Sequence, residues 1–435
     1  MRRHTMWVAM VLVFVGATTG LFAAGQQEGM EEASGPVELE LWTFQEIHIA
    51  FYERMAELWN EQHPDRQVVI NGTAYPYGDM HNNLLVALQS GTGAPDIVDI
   101  EISRFPNYLR GNVQLRSMND YVDPVRDDFV EARFDIYTKD GNVYGLPFHV
   151  GLTVMYYNTE IMDAAGVDID SIDTWDDYIA AGHQVVDNTD AWMTTVEATE
   201  QWSFWPLVTE RKSNFFGSDG SVQLDNQTNI EVLEMLNDMV RTEGIARTAP
   251  GGFHHAEEYY GFMADGGAAS IWMPLWYMGR FTDYMSDLSG KIAIRPLPRF
   301  TPDGFRSAGM GGTGTAVPTQ GDHVELAAEF LAFAKLSEEG NILLWEELGF
   351  DPPRKSVWTS DALAQENKYT DFFTNGTEIF RQMLPLTEEI HPVNMTTQIP
   401  DAITLIQTEV MPSVLSEGSA TPAEALRRAA DQLRQ

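Results

Sequence analysis

A strict alternation of strand and helix patterns, beginning near residue 37, constrains this chain more than any other feature. Residues 37–44 alternate apolar side chains in strand fashion, and 49–60 set Phe51, Met55, Leu58 and Trp59 at helical spacing. Pro64 ends that helix, and 67–70 reads as a second strand. A further helix over about 80–89 carries Leu84, Leu85 and Leu88 on one face and stops at Ser90-Gly91; 96–102 is then an apolar third strand. Strand, helix, strand, helix, strand at this spacing predicts a parallel sheet with right-handed crossovers. Ligands of such open sheets sit beyond the carboxyl ends of the strands. Positions 44–46, 75–77 and 99–101 are therefore where a site is expected.

At 435 residues and 44% apolar side chains, the chain can bury a large core and is expected to form two lobes. The stretch 144–158 stands apart, because a Gly-Leu-Pro turn runs straight into a long extended segment, a candidate crossing strand between lobes. Helices are expected at 174–186, with Trp175 and Tyr178 inward, at 230–243, at 324–335 and over most of 401–433. A short strand at 291–296 leads to the glycine cluster 309–314.

Arg2 and Arg3, the apolar run 7–15 and the small residues up to Gly25 have the layout of a secretory signal peptide, 1–25, followed by a flexible leader, 26–36. The mature protein is expected to be periplasmic or otherwise extracytoplasmic. Cysteine is absent, which excludes disulfides, thiolate metal sites, a cysteine nucleophile and a lipidated cysteine anchor. The formal charge of −37 repels nucleic acid and anionic membrane surfaces, and it disfavours a strongly anionic ligand unless local arginines override it.

Several segments, taken in order, resemble the bacterial extracellular solute-binding proteins that serve ABC sugar importers, the maltose-binding-protein-like group. Leu-Glu-Leu-Trp-Thr-Phe (39–44) resembles the family's first strand, and Leu-Trp-Asn-Glu-Gln-His-Pro (58–64) the end of its first helix. The passage 88–98 is similar to its helix-to-strand connection, 144–158 to its crossing strand, and Thr-Trp-Asp-Asp-Tyr (174–178), after Ala165-Gly166, to a following helix start. The segments 266–276, 311–317 and 327–333 complete the series. The resemblance implies an α/β, two-lobe periplasmic-binding-protein fold, each lobe a mostly parallel sheet flanked by helices, with hinge strands between. Its lobes are expected at 37–148 with 306–355 and at 149–305 with 356–435. It also implies a small carbohydrate ligand and an ABC permease as partner, with the chain a monomer that needs no cofactor or metal.

A sugar presents hydroxyls that donate and accept hydrogen bonds and C–H faces that stack on rings, so its site needs carboxylates, amides and aromatic side chains together. Glu101, at the end of the third strand, is the leading carboxylate, followed by Glu46 and His48 after the first strand beside Phe44. Tyr77 is expected on the rim, and Trp276 as a stacking platform from the second lobe. Trp202 and Trp205 are further candidates, as is His149 where the hinge should lie. Gly312 and Thr313, with Gly311, are expected to let backbone approach ligand closely, and Arg354 to reach the cleft from its turn. His254-His255 reads as part of an exposed acidic helix start rather than a metal site, since adjacent side chains on one element rarely converge. The chain is not expected to be an enzyme; the alternative is a secreted glycoside hydrolase, which would need two carboxyl groups about 5 to 10 Å apart.

Overall fold

The computed structural model describes residues 35–435, and the expected signal peptide and most of the leader lie outside them. The strands that build the fold are β1 (Val37–Thr43), β2 (Val68–Ala74), β3 (Ile97–Glu101), β4 (Leu146–Pro147) and β5 (Thr153–Asn158), then β6 (Thr194–Val196), β7 (Ala246–Thr248), β8 (Ser270–Pro274), β9 (Ile292–Arg295) and β10 (Thr313–Ala316).

The first sheet has the order β2-β1-β3-β10-β4. β1 runs parallel to β2 and β3, as the alternating pattern predicts, and α1 (Glu46–Gln62) and α2 (Tyr77–Ser90) make the two crossovers. Alternation along β1 buries Leu39 and Leu41 completely against Phe51, Tyr52 and Met55 of α1. α2 packs Met80, Leu84 and Leu88 against Val98 and Ile100 of β3, and it stops where Gly91 turns left-handed at φ 78°. β10 then enters from far along the chain and lies antiparallel between β3 and β4.

The second sheet is centred on β5, with β8 and β9 antiparallel on either side. This departs from the mostly parallel arrangement expected for that lobe. β5 is the strand that enters from the first lobe, and its neighbours belong to segments that return toward it, so their direction opposes its own. Parallel pairing occurs between β6 and β7 and at the single bridges Thr174–Arg299, Trp192–Ala268 and Ile292–Phe373. Two apolar cores flank β5: one holds Trp175, Tyr178, Trp272 and the C-terminal helix Pro422–Leu433, the other Tyr156, Tyr277, Phe281 and Trp358.

Three passes of chain cross between the sheets, at 148–152, 307–312 and 350–354, and they hydrogen bond to one another. Met310 N–H donates to the Gly151 carbonyl at 2.8 Å, Val150 N–H to that of Asp351 at 3.0 Å, and Leu152 N–H to the Asp351 carboxyl at 2.8 Å. The extended segment expected at 144–158 is accordingly broken into β4 and β5. Between them Gly151 takes φ 68°, and a Cβ there would lie 2.1 Å from the Met310 carbonyl oxygen. Among the described residues no helix is long and apolar enough to cross a membrane.

Candidate functional site

The carboxyl ends of β1 and β3, the start of α2 and the pass at 311–313 form one wall of a cleft; residues of the second lobe form the other. The cleft has two adjoining chambers, of about 350 and 410 Å³, that share Phe44, Gln45, Glu101, Trp202 and Gly311.

Glu101 stands where β3 ends. Its carboxylate accepts hydrogen bonds from the Tyr77 hydroxyl at 2.9 Å, from Ser103 N–H at 2.9 Å and from the Ser103 hydroxyl. Burial pushes its pKa above the usual carboxylate range, against the pull of these bonds. Burial also pushes the Tyr77 phenol up to about 12, aided by the Glu101 charge, so it stays a donor. Arg104 donates its Nε–H to the same phenol at 3.2 Å, and His81 Nε2 accepts the Glu101 N–H at 3.1 Å. Deeper, Asp99 is fully buried and lies 2.9 Å from His48 Nδ1, which fixes the imidazole that lines the first chamber.

Aromatic side chains of the second lobe face this polar wall. Trp276 follows β8, donates its indole N–H to the Met310 carbonyl at 3.3 Å, and has His255 stacked on it at 5.7 Å between ring centroids. Trp202 meets Trp276 edge to face at 5.4 Å and stands at the junction of the chambers. Gly311, at φ 71°, passes beneath both indoles; a Cβ there would come within 3.2 Å of Trp276 Nε1 and 3.4 Å of the Trp202 ring. The outer part of the first chamber carries Arg280, Asp283 and Lys368, and the second carries Glu200, Gln201 and Gln407.

Of the residues expected from sequence, Phe44, Tyr77, Glu101, His149, Trp276, Gly312 and Thr313 border this cleft. His149 is 6% exposed, and burial drives its pKa well below the ordinary histidine value. Two expectations, Glu46 and Arg354, need correction. Glu46 borders neither chamber: it is the first residue of α1 and exposed, where a carboxylate favours the positive end of the helix, while Gln45, Ile47 and His48 face the cleft. Trp205 borders the second chamber as expected, although it is 2% exposed and stacked on Phe215 at 5.2 Å, and the half-buried Trp202 borders both chambers. Arg354 borders neither chamber, because its guanidinium pairs with the Asp128 carboxylate at 2.7 Å.

His255 was placed by sequence on an exposed helix start and in fact enters the first chamber. His254 points the other way into the interior, with Nε2 2.9 Å from the Thr195 hydroxyl. Local sequence gives no sign of this, since neighbouring side chains diverge and only tertiary packing selects which one meets the cleft. Gln407 and Lys368, from distant helical segments, carried no signal at all.

The arrangement provides flat rings on one side and hydrogen-bonding groups of both kinds on the other. Such a cleft can hold a neutral, polyhydroxylated ligand by stacking on its C–H faces and bonding its hydroxyls. Residues 46–341 match the family model described as bacterial extracellular solute-binding protein. The arabinooligosaccharide-binding protein of Halalkalibacterium halodurans is 51% identical over 403 residues, covering 93% of this chain and 90% of that protein. The protein of the same name from Bacillus subtilis is 48% identical over 425 residues, 98% of each chain. Among solved structures, the sugar-binding protein MalE of Xanthomonas citri superposes with a TM-score of 0.76 at 16% identity, over 91% of this chain and 96% of that one, a likeness of fold. With the two-lobe architecture, the interlobe cleft and the family match in agreement, the chain belongs to the bacterial extracellular solute-binding protein family.

Proposed function

We propose that this protein is the extracytoplasmic receptor of an ABC importer, capturing an arabinose-containing oligosaccharide in its two-chambered cleft and passing it chemically unchanged to the permease. The observation that carries this reading is the pairing of Trp202 and Trp276 with Glu101, Tyr77 and Gln45 across a cleft open at both chambers. Two adjoining chambers accommodate more than one sugar ring, and the two relatives that span nearly the whole chain carry the name of arabinooligosaccharide-binding proteins.

In this reading 37–148 and 306–355 form the first lobe and 149–305 and 356–435 the second. The three crossing passes act as hinge, and ligand bridging both walls favours the closed state through its extra contacts there. The chain works as a monomer, its −37 charge keeping nucleic acid away. Phe44, Tyr77, Glu101, His149, Trp202, Trp276, Gly312 and Thr313 are the ligand-facing set.

A thermal-shift screen tests the assignment. A ligand that binds only the folded chain stabilises it by about 2.7 kcal/mol at a hundred times its Kd. Linear arabinose oligosaccharides are expected to raise the melting midpoint, while malto-oligosaccharides and lactose leave it unchanged. A midpoint insensitive to arabinose oligosaccharides would overturn the ligand class. Release of new reducing ends would overturn the receptor reading in favour of hydrolysis.

A further inference from the structure

The aromatic wall of the second lobe is assembled from three separate loops, and one buried side chain reaches the backbone of two of them. Glu197, fully buried, follows β6. Its Oε2 accepts the Ser203 N–H at 3.2 Å and its Oε1 accepts the His254 N–H at 3.0 Å. Its own N–H donates to the Ser203 hydroxyl at 2.9 Å, closing the loop 197–203 on itself. The Tyr277 hydroxyl donates to the His254 carbonyl and brings in the third loop. Each ring of the wall is the chain neighbour of one of these anchored residues: Trp202 precedes Ser203, His255 follows His254, and Trp276 precedes Tyr277.

The Trp272 indole N–H also donates to the Ser203 carbonyl at 3.1 Å, which ties this loop to β8, whereas its ties to the 249–255 segment are of two kinds. Ala198 and Thr199 donate N–H groups to the Gly252 carbonyl at 2.8 and 3.1 Å, which fixes where the loop begins. Where it ends, next to Trp202, its tie to the 249–255 segment runs through the Glu197 carboxyl. A buried N–H left without its bond is costly, so the loop end has reason to shift when the Glu197 carboxyl is lost.

We propose that Glu197 is a positioning residue of the ligand cleft: by holding the Ser203 and His254 backbone together, its carboxyl sets the spacing of Trp202, His255 and Trp276. The inference rests on the cleft being the sugar site, and it concerns how that site keeps its shape. Burial pushes the Glu197 carboxyl up to about 8, so it is neutral at neutral pH. The titratable groups around it are His254, whose Nδ1 is 3.6 Å away, Glu200 on its own loop, and Tyr259 and Tyr277 from neighbouring elements. Burial keeps His254 well below the ordinary histidine value and both tyrosines above theirs, so these three stay neutral as Glu197 ionises. Ionisation then places an uncompensated charge in the interior and draws water toward it, loosening the loops.

The test compares the parent with Glu197→Gln, whose amide must turn an NH₂ group toward one of the two N–H donors. Glu210→Gln serves as control, since Glu210 is equally buried in the same lobe but borders neither chamber. Near-ultraviolet circular dichroism of the ligand-free proteins reads the coupled Trp202–Trp276 pair, and titration with linear arabinotriose reads the cleft. The expected result is an altered indole band and affinity lowered about tenfold, corresponding to roughly 1.4 kcal/mol, in Glu197→Gln alone. An unchanged band and affinity within about twofold of the parent would refute the proposal. Should Glu197→Gln fail to fold, the parent decides: affinity falling as pH rises through about 8 supports the proposal, and affinity flat from about pH 6 to about pH 10 overturns it. Should the parent ignore arabinotriose, the sugar assignment fails, while the dichroism of the variant still decides the positioning role.

Discussion

Trp276 concentrates what a stacking residue needs: a partly exposed indole, its N–H bonded to the Met310 carbonyl, and its orientation held by His255 and Trp202. A fixed ring contributes roughly 0.5–1.5 kcal/mol to a stacked pair beyond the area it covers. Trp276→Ala is therefore expected to weaken arabinotriose binding about tenfold or more while leaving the thermal midpoint close to the parent, which titration and a melting curve measure together. Glu101→Ala removes an acceptor already oriented by Tyr77 and Ser103 and is expected to cost about 1.5–3 kcal/mol of binding, the range for hydrogen bonds to a charged group. Glu46→Ala and Arg354→Ala are expected to leave affinity unchanged. Arg354→Ala instead lowers stability by about 1 kcal/mol through loss of its pairing with Asp128, observable by urea denaturation.

Among the elements, the crossing passes carry the most constrained geometry. Gly151→Ala would force a non-glycine residue into φ 68° and press a methyl group onto the Met310 carbonyl, so a loss of at least about 2 kcal/mol is expected on denaturation. Asp351, in the third pass, is fully buried, and burial raises its pKa from 3.8 to about 7 although the Leu152 N–H bond lowers it. The folded chain keeps this proton where the unfolded chain has released it. Stability from this group is thus greatest below about pH 4 and declines as pH rises toward about 7, by at most about 1.4 kcal/mol per unit. Asp351→Asn is expected to flatten that decline in denaturation curves recorded across the interval, and an unchanged slope would contradict the assignment. The first three strands, α1 and α2 were legible in sequence because each buries one face and so writes its period into the apolar residues. The break at 148–152 was not, since it depends on contacts with 307–312 and 350–354, more than a hundred residues away. The same division holds in the site: Glu101 and Tyr77 follow from sheet topology, whereas His255, Gln407 and Lys368 reach the cleft only through packing between distant segments.

For the whole molecule, a five-stranded and a three-stranded sheet are joined by the crossing passes beside a cleft, and the chain belongs to a family of extracellular solute-binding proteins. If bound sugar bridges the walls, the radius of gyration from small-angle scattering is expected to shrink at saturating arabinotriose, and unchanged dimensions would speak against closure. The direct measurement is a crystal structure of the protein grown with linear arabinotriose. Intact sugar rings stacked on Trp202 and Trp276, with hydroxyls bonded to Glu101 and Tyr77, are the result this account predicts. Sugar bound outside the two chambers, or found cleaved within them, would contradict it.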